Sequence, residues 1–185
     1  MATSTFSQYG PKKELAFRED YLEPRWYAAY TSANREKRVA VQMGLRSVEH
    51  FLPLYESVRR WKDRRMMLHL PLFPGYLFVR IALRDRLQVL QVPGVARLVG
   101  FNGLPCALSA SEIATLQACL ARKACLEPHP YVRVGRRVRV KAGPLEGLEG
   151  IVIRKKNRLR FVLSLDLINR SVAVEIEAAD LEPTV

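Results

Sequence analysis

Apolar and polar positions change rhythm several times along this chain, and each change predicts an element. Residues 26–31, Trp-Tyr-Ala-Ala-Tyr-Thr, have strand character. Asn34 then offers an N-cap for a helix over 34–46, with Val39 and Met43 four apart on its buried side. The other side of that helix carries Arg38, Gln42 and Arg46 at four-residue steps, a polar stripe pointing one way. Strand-like pieces follow at 50–55, 57–61, 65–70 and 76–81. A short helix over 84–91 is stopped by Pro93-Gly94, and 95–99 reads as another strand. Ser109 stands three residues before Glu112, the spacing of a capping box, and opens a helix with Ile113, Leu116 and Leu120 along one face; it fades near Ala124. Two prolines in Glu127-Pro128-His129-Pro130 suit neither helix nor ladder, so 125–131 reads as a linker. Beyond it come only short strands, at 137–140, 149–153, 159–165 and 171–176. Closing them into a small barrel removes exposed edges.

The predicted class is α+β: an antiparallel sheet flanked by helices over residues 25–124, then a small all-β barrel of SH3-like size over 132–185. Residues 1–24 are polar, mixed in charge and aperiodic, and read as a flexible arm.

Charge narrows the function. The net charge of +12 is concentrated in residues 25–123, which alone carry +10, and such a field draws polyanions. Catalytic signatures are missing from the sequence. His50, His69 and His129 lie in no metal-ligand or acid–base spacing, and His69, inside a strand-like run, reads as packed. Neither a nucleotide-binding glycine loop nor a nucleophile elbow occurs. Cys106, Cys119 and Cys125 are odd in number and lack Cys-x-x-Cys spacing, which favours buried, reduced thiols over a disulfide framework or a metal site. A non-enzyme without cofactor or metal is therefore expected. The most apolar stretch, 68–81, is broken by His69, Pro71, Pro74, Gly75 and Arg80, and residues 1–10 lack the features of a secretory signal. A cytoplasmic monomer with no membrane contact is the expectation.

Residues 72–79, Leu-Phe-Pro-Gly-Tyr-Leu-Phe-Val, are the most informative. In a strand after Gly75, Leu77, Val79 and Ile81 face one way, and Tyr76, Phe78 and Arg80 the other. The aliphatic set belongs to a core. The aromatic set, beside Phe73 and the stiff Pro74-Gly75 turn, has two readings: an apolar interaction patch rimmed by positive charge, or a second face covered by another element of the same domain. The run at 59–65, Arg-Arg-Trp-Lys-Asp-Arg-Arg, reads either as a nucleic-acid contact with one stacking aromatic or as a hairpin tip with solubilising charge.

These motifs, in this order, resemble the NusG family of transcription elongation factors. Trp26-Tyr27, the 72–76 run, Pro93-Gly94-Val95 and Val99-Gly100-Phe101 are similar to its amino-terminal (NGN) domain. Val138-Arg139-Val140, Gly143-Pro144-Leu145-Glu146-Gly147, Leu148-Glu149-Gly150 and Ile151-Val152 resemble its KOW motif. The resemblance covers roughly residues 25–183 and implies a factor for transcription elongation, termination or antitermination. Its NGN-like domain would dock on the clamp helices of bacterial RNA polymerase through Tyr30, Phe73, Pro74, Gly75, Tyr76, Phe78 and Phe101. Asp85, Arg86 and Leu87 would reach across the cleft, and bridging it would favour the closed, processive enzyme by differential binding. Specialised RfaH/UpxY-like paralogues also touch the non-template DNA strand, and there the resemblance implies Arg38, Gln42 and Arg46. The barrel would recruit Rho or a ribosomal protein through Leu167, Ile168, Asn169 and Arg170. Ile168 and Asn169 depart from the phenylalanine and glycine usual in the general factor, which leaves the choice of partner open. A refolded, helical carboxy-terminal domain, used by some specialised members, is disfavoured by the β-branched strands and by Gly143, Pro144 and Gly147. The competing class is a ribosome-associated, structural RNA-binding protein stacking bases on Tyr76 and Phe78.

Overall fold

The computed structural model describes residues 21–61, 64–122, 124–129, 135–143, 145–155 and 158–183. Most of the expected arm, the hairpin tip at Lys62-Asp63, and Pro144 lie outside the described residues.

The first half is built on a four-stranded antiparallel sheet. Its strands are β1 (Arg25–Thr31), β2 (Glu49–Phe51), β5 (Tyr76–Ile81) and β6 (Val95–Leu98), in the order β2-β5-β1-β6. The central pair aligns Tyr27 with Val79, Ala28 with Phe78, Ala29 with Leu77 and Tyr30 with Tyr76. Because side chains alternate along a strand, this register sends Tyr27, Ala29, Leu77, Val79 and Ile81 to one face. There they meet Val39 and Met43 of α1 (Glu36–Leu45) and Val89 of α2 (Arg86–Leu90). Trp26, Ala28 and Phe78 go to the other face, where Ile113, Leu116 and Cys119 of α3 (Ala110–Ala121) cover them together with Leu72 and Phe73. Both faces are buried, so the central strands read as nearly continuous apolar runs.

A two-stranded ribbon, β3 (Leu54–Trp61) with β4 (Arg64–Pro71), leads from the sheet edge into the Phe73 turn. Pro53 separates β2 from β3, where an unbroken strand over 50–55 was expected. A second small hairpin, β7 (Gly100–Phe101) with β8 (Leu104–Pro105), was not foreseen; its strands are too short to show a period.

The carboxy-terminal part forms a six-stranded antiparallel sheet, in the order β14-β10-β11-β12-β13-β9, from β9 (Glu127–His129), β10 (Arg136–Val140), β11 (Glu149–Lys155), β12 (Arg158–Leu165), β13 (Arg170–Ile176) and β14 (Leu181–Pro183). The four expected strands are present within a residue or two. Gly150 sits where a Cβ would lie 2.6 Å from the Phe161 ring, so it serves close strand packing rather than a turn. The segment expected to be a linker differs. Glu127-Pro128-His129 pairs with Ser171–Ala173 of β13 as an outermost strand, the position where a proline's missing N–H does least harm to a ladder. Arg160 fastens it, reaching Glu127 at 3.4 Å and Glu175 at 3.5 Å. The apolar cluster behind the first sheet runs on into Val138, Phe161, Leu165 and Val172 of this sheet.

Two local expectations need correction. Asn34 does not cap α1: it takes the left-handed conformation, φ +59°, in a turn closed by Arg35 N–H to the Ser32 carbonyl at 3.1 Å. Asparagine tolerates that conformation, and the turn claims it first. The capping box at Ser109 is half made. Glu112 accepts the Ser109 backbone N–H, while the Ser109 hydroxyl pairs with Ser111 at 2.6 Å.

The packing separates aromatics that the sequence leaves together. Phe73 is 1% exposed and Phe101 is 68% exposed. Phe73→Ala is therefore expected to lower stability by about 3–5 kcal/mol, and Phe101→Ala by no more than about 0.5 kcal/mol, read from urea unfolding midpoints.

Candidate protein-docking ledge and its neighbours

The candidate surface lies at one end of the β1–β5 pair. Tyr30, the last aromatic of β1, stands directly across from Tyr76, the first residue of β5. Their rings are 5.4 Å apart and tilted by 57°, a favourable aromatic geometry. Tyr30 remains 40% exposed, Tyr76 is half-buried and Pro74 is exposed. The Arg97 guanidinium lies 5.7 Å from the Tyr30 ring, a cation–π contact that puts positive charge at the rim.

The turn carrying Pro74 is held from several sides. Tyr76 N–H donates to the Phe73 carbonyl at 3.0 Å, and Thr31 N–H donates to the Gly75 carbonyl at 2.8 Å. Gly75 N–H donates to Oε1 of Glu36 at 2.7 Å. Gly75 itself has φ +84°, and a Cβ there would stand 3.3 Å from the Tyr30 ring. Both the conformation and the close ring require glycine. Neither Glu36 nor Arg97 was singled out in the sequence. Glu36 had a legible signal, since it lies three and seven residues before the buried Val39 and Met43.

Two expected ledge residues are not on the surface. Phe78 is fully buried and Phe73 is 1% exposed; their rings meet edge to face at 5.6 Å, and Phe51 stacks on Phe78 at 6.2 Å. The covered-face reading holds for these two, because α3 and the Phe73 turn close over that side of the sheet. Phe101 is exposed but projects from the separate β7–β8 hairpin.

Asp85, Arg86 and Leu87 follow the opposite end of β5, about 17 Å of strand away from Tyr76. Arg86 donates to the Leu83 carbonyl at 3.3 Å, Asp85 pairs with Arg84 at 3.5 Å, and Leu87 is 57% exposed. On α1, Arg38 is exposed and Gln42 half-buried, while Arg46 donates to the Gln88 carbonyl at 3.3 Å. Val41 and Leu45 share the solvent side, so the stripe is less purely polar than expected.

In the barrel, Leu167 is half-buried, Ile168 is buried, and Asn169 and Arg170 are exposed. Ile168 is thus a core residue rather than a contact. Asn169 has φ +48° and ψ +50°, a left-handed conformation that glycine and asparagine share, so the exchange between them leaves the loop's backbone path open. His69 is also exposed, 3.6 Å from Glu56, because its side of the ribbon faces solvent. Of the thiols, Cys119 is buried and pushed up to about 11 by that burial; Cys106 is half-buried and Cys125 exposed, against the expectation of three buried thiols. No helix among the described residues is long and apolar enough to cross a membrane.

A groove of 510 Å³ separates α3 from the barrel, lined by Ser111, Glu112 and Thr115 on one side and by Val138, Ile151 and Asp166 among others. Arg122 spans the two parts, donating to the Glu146 carbonyl at 3.1 Å.

A sheet sandwiched between helices, joined to a small barrel and carrying an aromatic ledge at one strand end, defines a two-part α+β protein with a candidate docking surface. Residues 24–117, just over half of the chain, match the family described as "Transcription termination factor nusG". The chain belongs to the NusG family. It is 28% identical over 174 residues to the transcription termination/antitermination protein NusG of Thermus thermophilus, covering 82% of this chain and 94% of the relative. The Haemophilus influenzae protein of the same name is 29% identical over 175 residues, covering 85% and 93%. A solved structure showing domain interaction in Thermotoga maritima NusG superposes with a TM-score of 0.51 at 19% identity, covering 89% of this chain and 99% of that one, a likeness of fold.

Burial, and secondarily the Asp166 carboxylate, raise the pKa of Glu112 above its ordinary 4.5, partly offset by the Ser109 N–H. The folded protein therefore holds this proton more tightly than the unfolded chain. The stabilisation is full below the unfolded value and lost as pH rises through the folded one. Glu112→Gln keeps the acceptor for Ser109 and removes the charge. It should raise the melting temperature near pH 7 and leave it unchanged near pH 4, as read by calorimetry.

Proposed function

We propose that this protein is a transcription elongation and antitermination factor that docks on RNA polymerase through the ledge of Tyr30, Pro74, Gly75 and Tyr76, with Phe101 of the β7–β8 hairpin as a further contact. The observation that carries the reading is the Tyr30–Tyr76 pair: two aromatic rings left partly open to water on a backbone fixed from several sides, with an arginine at the rim. Aromatic and arginine anchors on a pre-organised backbone are what dominates binding energy at protein interfaces. Family membership supports bacterial RNA polymerase as the partner, and the resemblance implies its clamp helices. To Leu87 and its neighbours, at the far end of β5, we assign the second contact across the cleft that the resemblance implies. Holding both sides of a cleft favours its closed state without any chemistry by this chain.

Arg38 and Gln42 on α1, with Arg46 just past its end, are assigned to the non-template strand, where cations meet phosphate and an amide reaches a base edge. The barrel is assigned to a second partner, Rho or a ribosomal protein, through Leu167, Asn169 and Arg170. The chain is read as acting in the cytoplasm as a monomer, and as an operon-specific or a general factor alike. The RNA-binding alternative is weakened by Phe78, because the second stacking ring it needs lies inside the protein.

Tyr30→Ala and Tyr76→Glu should each weaken capture of core polymerase by about thirtyfold or more, the loss expected for an interface anchor of about 2 kcal/mol, with the circular dichroism spectrum unchanged. Capture at wild-type strength by both variants would end the docking reading. For α1, replacing Arg38 and Arg46 by alanine should reduce the slope of log affinity against log salt, on complexes exposing a single strand, by about 1.4. An unchanged slope would leave those residues as a solvated helix face.

A further inference from the structure

Glu36 is one of three buried polar residues among those described, at 4% exposure. It opens α1, where the helix amides favour a carboxylate, and among the described residues no cation lies within ion-pair distance of it. Taking a carboxylate out of water is costly unless strong donors meet it. Here the donor from outside its helix is the Gly75 N–H, 2.7 Å from Oε1 and 39 residues away in sequence. A charge-assisted bond of that length is of the strong kind.

The placement of that bond matters more than its strength. Gly75 is the centre of the exposed turn, and its N–H and carbonyl, which belong to the peptide units before and after its Cα, are held by different elements. The N–H goes to α1 through Glu36, and the carbonyl accepts from Thr31 at the end of β1. With φ at +84°, Gly75 samples space that other residues avoid, and a glycine released there has more conformations open to it than any other residue. Tyr30 packs over this glycine and Tyr76 follows it, so the relative pose of the two partly exposed rings depends on how the two peptides flanking the Gly75 Cα are held.

We propose that Glu36 is a positioning residue for the docking ledge: its buried carboxylate oxygen fixes the Gly75 peptide and so pre-sets the Tyr30–Tyr76 pair in its binding pose. It need not touch the partner. The inference rests on the docking reading above. It adds that the first turn of α1, which also carries Arg38, is bonded to the protein-binding ledge.

The test uses the full chain and three substitutions. Glu36→Gln keeps an oxygen acceptor at the same reach without charge, Glu36→Asp keeps the charge but withdraws it by one methylene, and Glu36→Ala removes both. Affinity for core polymerase and amide hydrogen exchange are measured together. The expected result is that Glu36→Asp and Glu36→Ala speed exchange at Gly75 and weaken polymerase binding, each by at least about tenfold. Protection at Tyr27 and Val79 in the central strands should stay unchanged, and Glu36→Gln should restore both properties to near wild type. Should Glu36→Ala fail to fold, the contrast between Asp and Gln reads the same distinction. Unchanged Gly75 exchange in Glu36→Asp would overturn the proposal. So would impairment in Glu36→Gln equal to that in Glu36→Asp, since a role depending on charge or on bulk stability is then sufficient. Tyr76→Glu serves as the reference: wild-type binding by that variant removes the docking reading itself, while Gly75 exchange still decides whether Glu36 fixes the turn.

Discussion

The pairing of β1 with β5 is the constraint from which the rest of the first half follows. Six residue pairs in one register place Tyr27, Leu77 and Val79 under α1 and α2, and Ala28 and Phe78 under α3. A slip of one residue would exchange these sets and put the Tyr30 and Tyr76 rings on the wrong side. The same register brings those two rings opposite each other where the strands leave the core. Core and ledge are thus two consequences of one ladder, with burial on both faces setting the register and the strand end exposing what remains.

The ledge is small, and the economy is physical. Exposed aromatic surface marks an interaction site, and it binds at lower cost where the backbone beneath it is already held. Here the holding is done by backbone hydrogen bonds to Gly75 and by a buried carboxylate rather than by more apolar contact. A polar clip leaves the rings free to meet another protein, where an apolar one would bury them. Arg97 adds charge at the rim, in keeping with the positive excess of this half of the chain.

The second half is held on different terms. β9, formed by residues that also carry the connection, lies along β13 and is fastened by Arg160 to Glu127 and Glu175. These ion pairs are partly exposed and individually weak. The groove beside α3, with Glu112 and Asp166 on facing walls, brings two acidic groups towards each other where the halves adjoin.

Much of this was legible in the sequence because period and punctuation are local. The 76–81 strand, the helix after Ser109 and the four main barrel strands follow from alternation, capping spacing and glycine or asparagine breaks, and the family follows from motif order. What the chain could not reveal is which aromatics on a given face are covered. Phe78 and Tyr76 alternate perfectly with Leu77, yet one is sealed and the other half-open, because α3, distant in sequence, and the Phe73 turn cover the middle of the sheet and stop short of its end. Asn34, a plausible cap, was claimed by a turn, and Glu127-Pro128-His129, a plausible linker, by an edge strand. For Phe78 and for the edge strand the deciding partner lies far away in the sequence, whereas for Asn34 a local turn outcompetes the cap. Local pattern specifies which elements form, whereas only packing specifies which surfaces are left for another molecule.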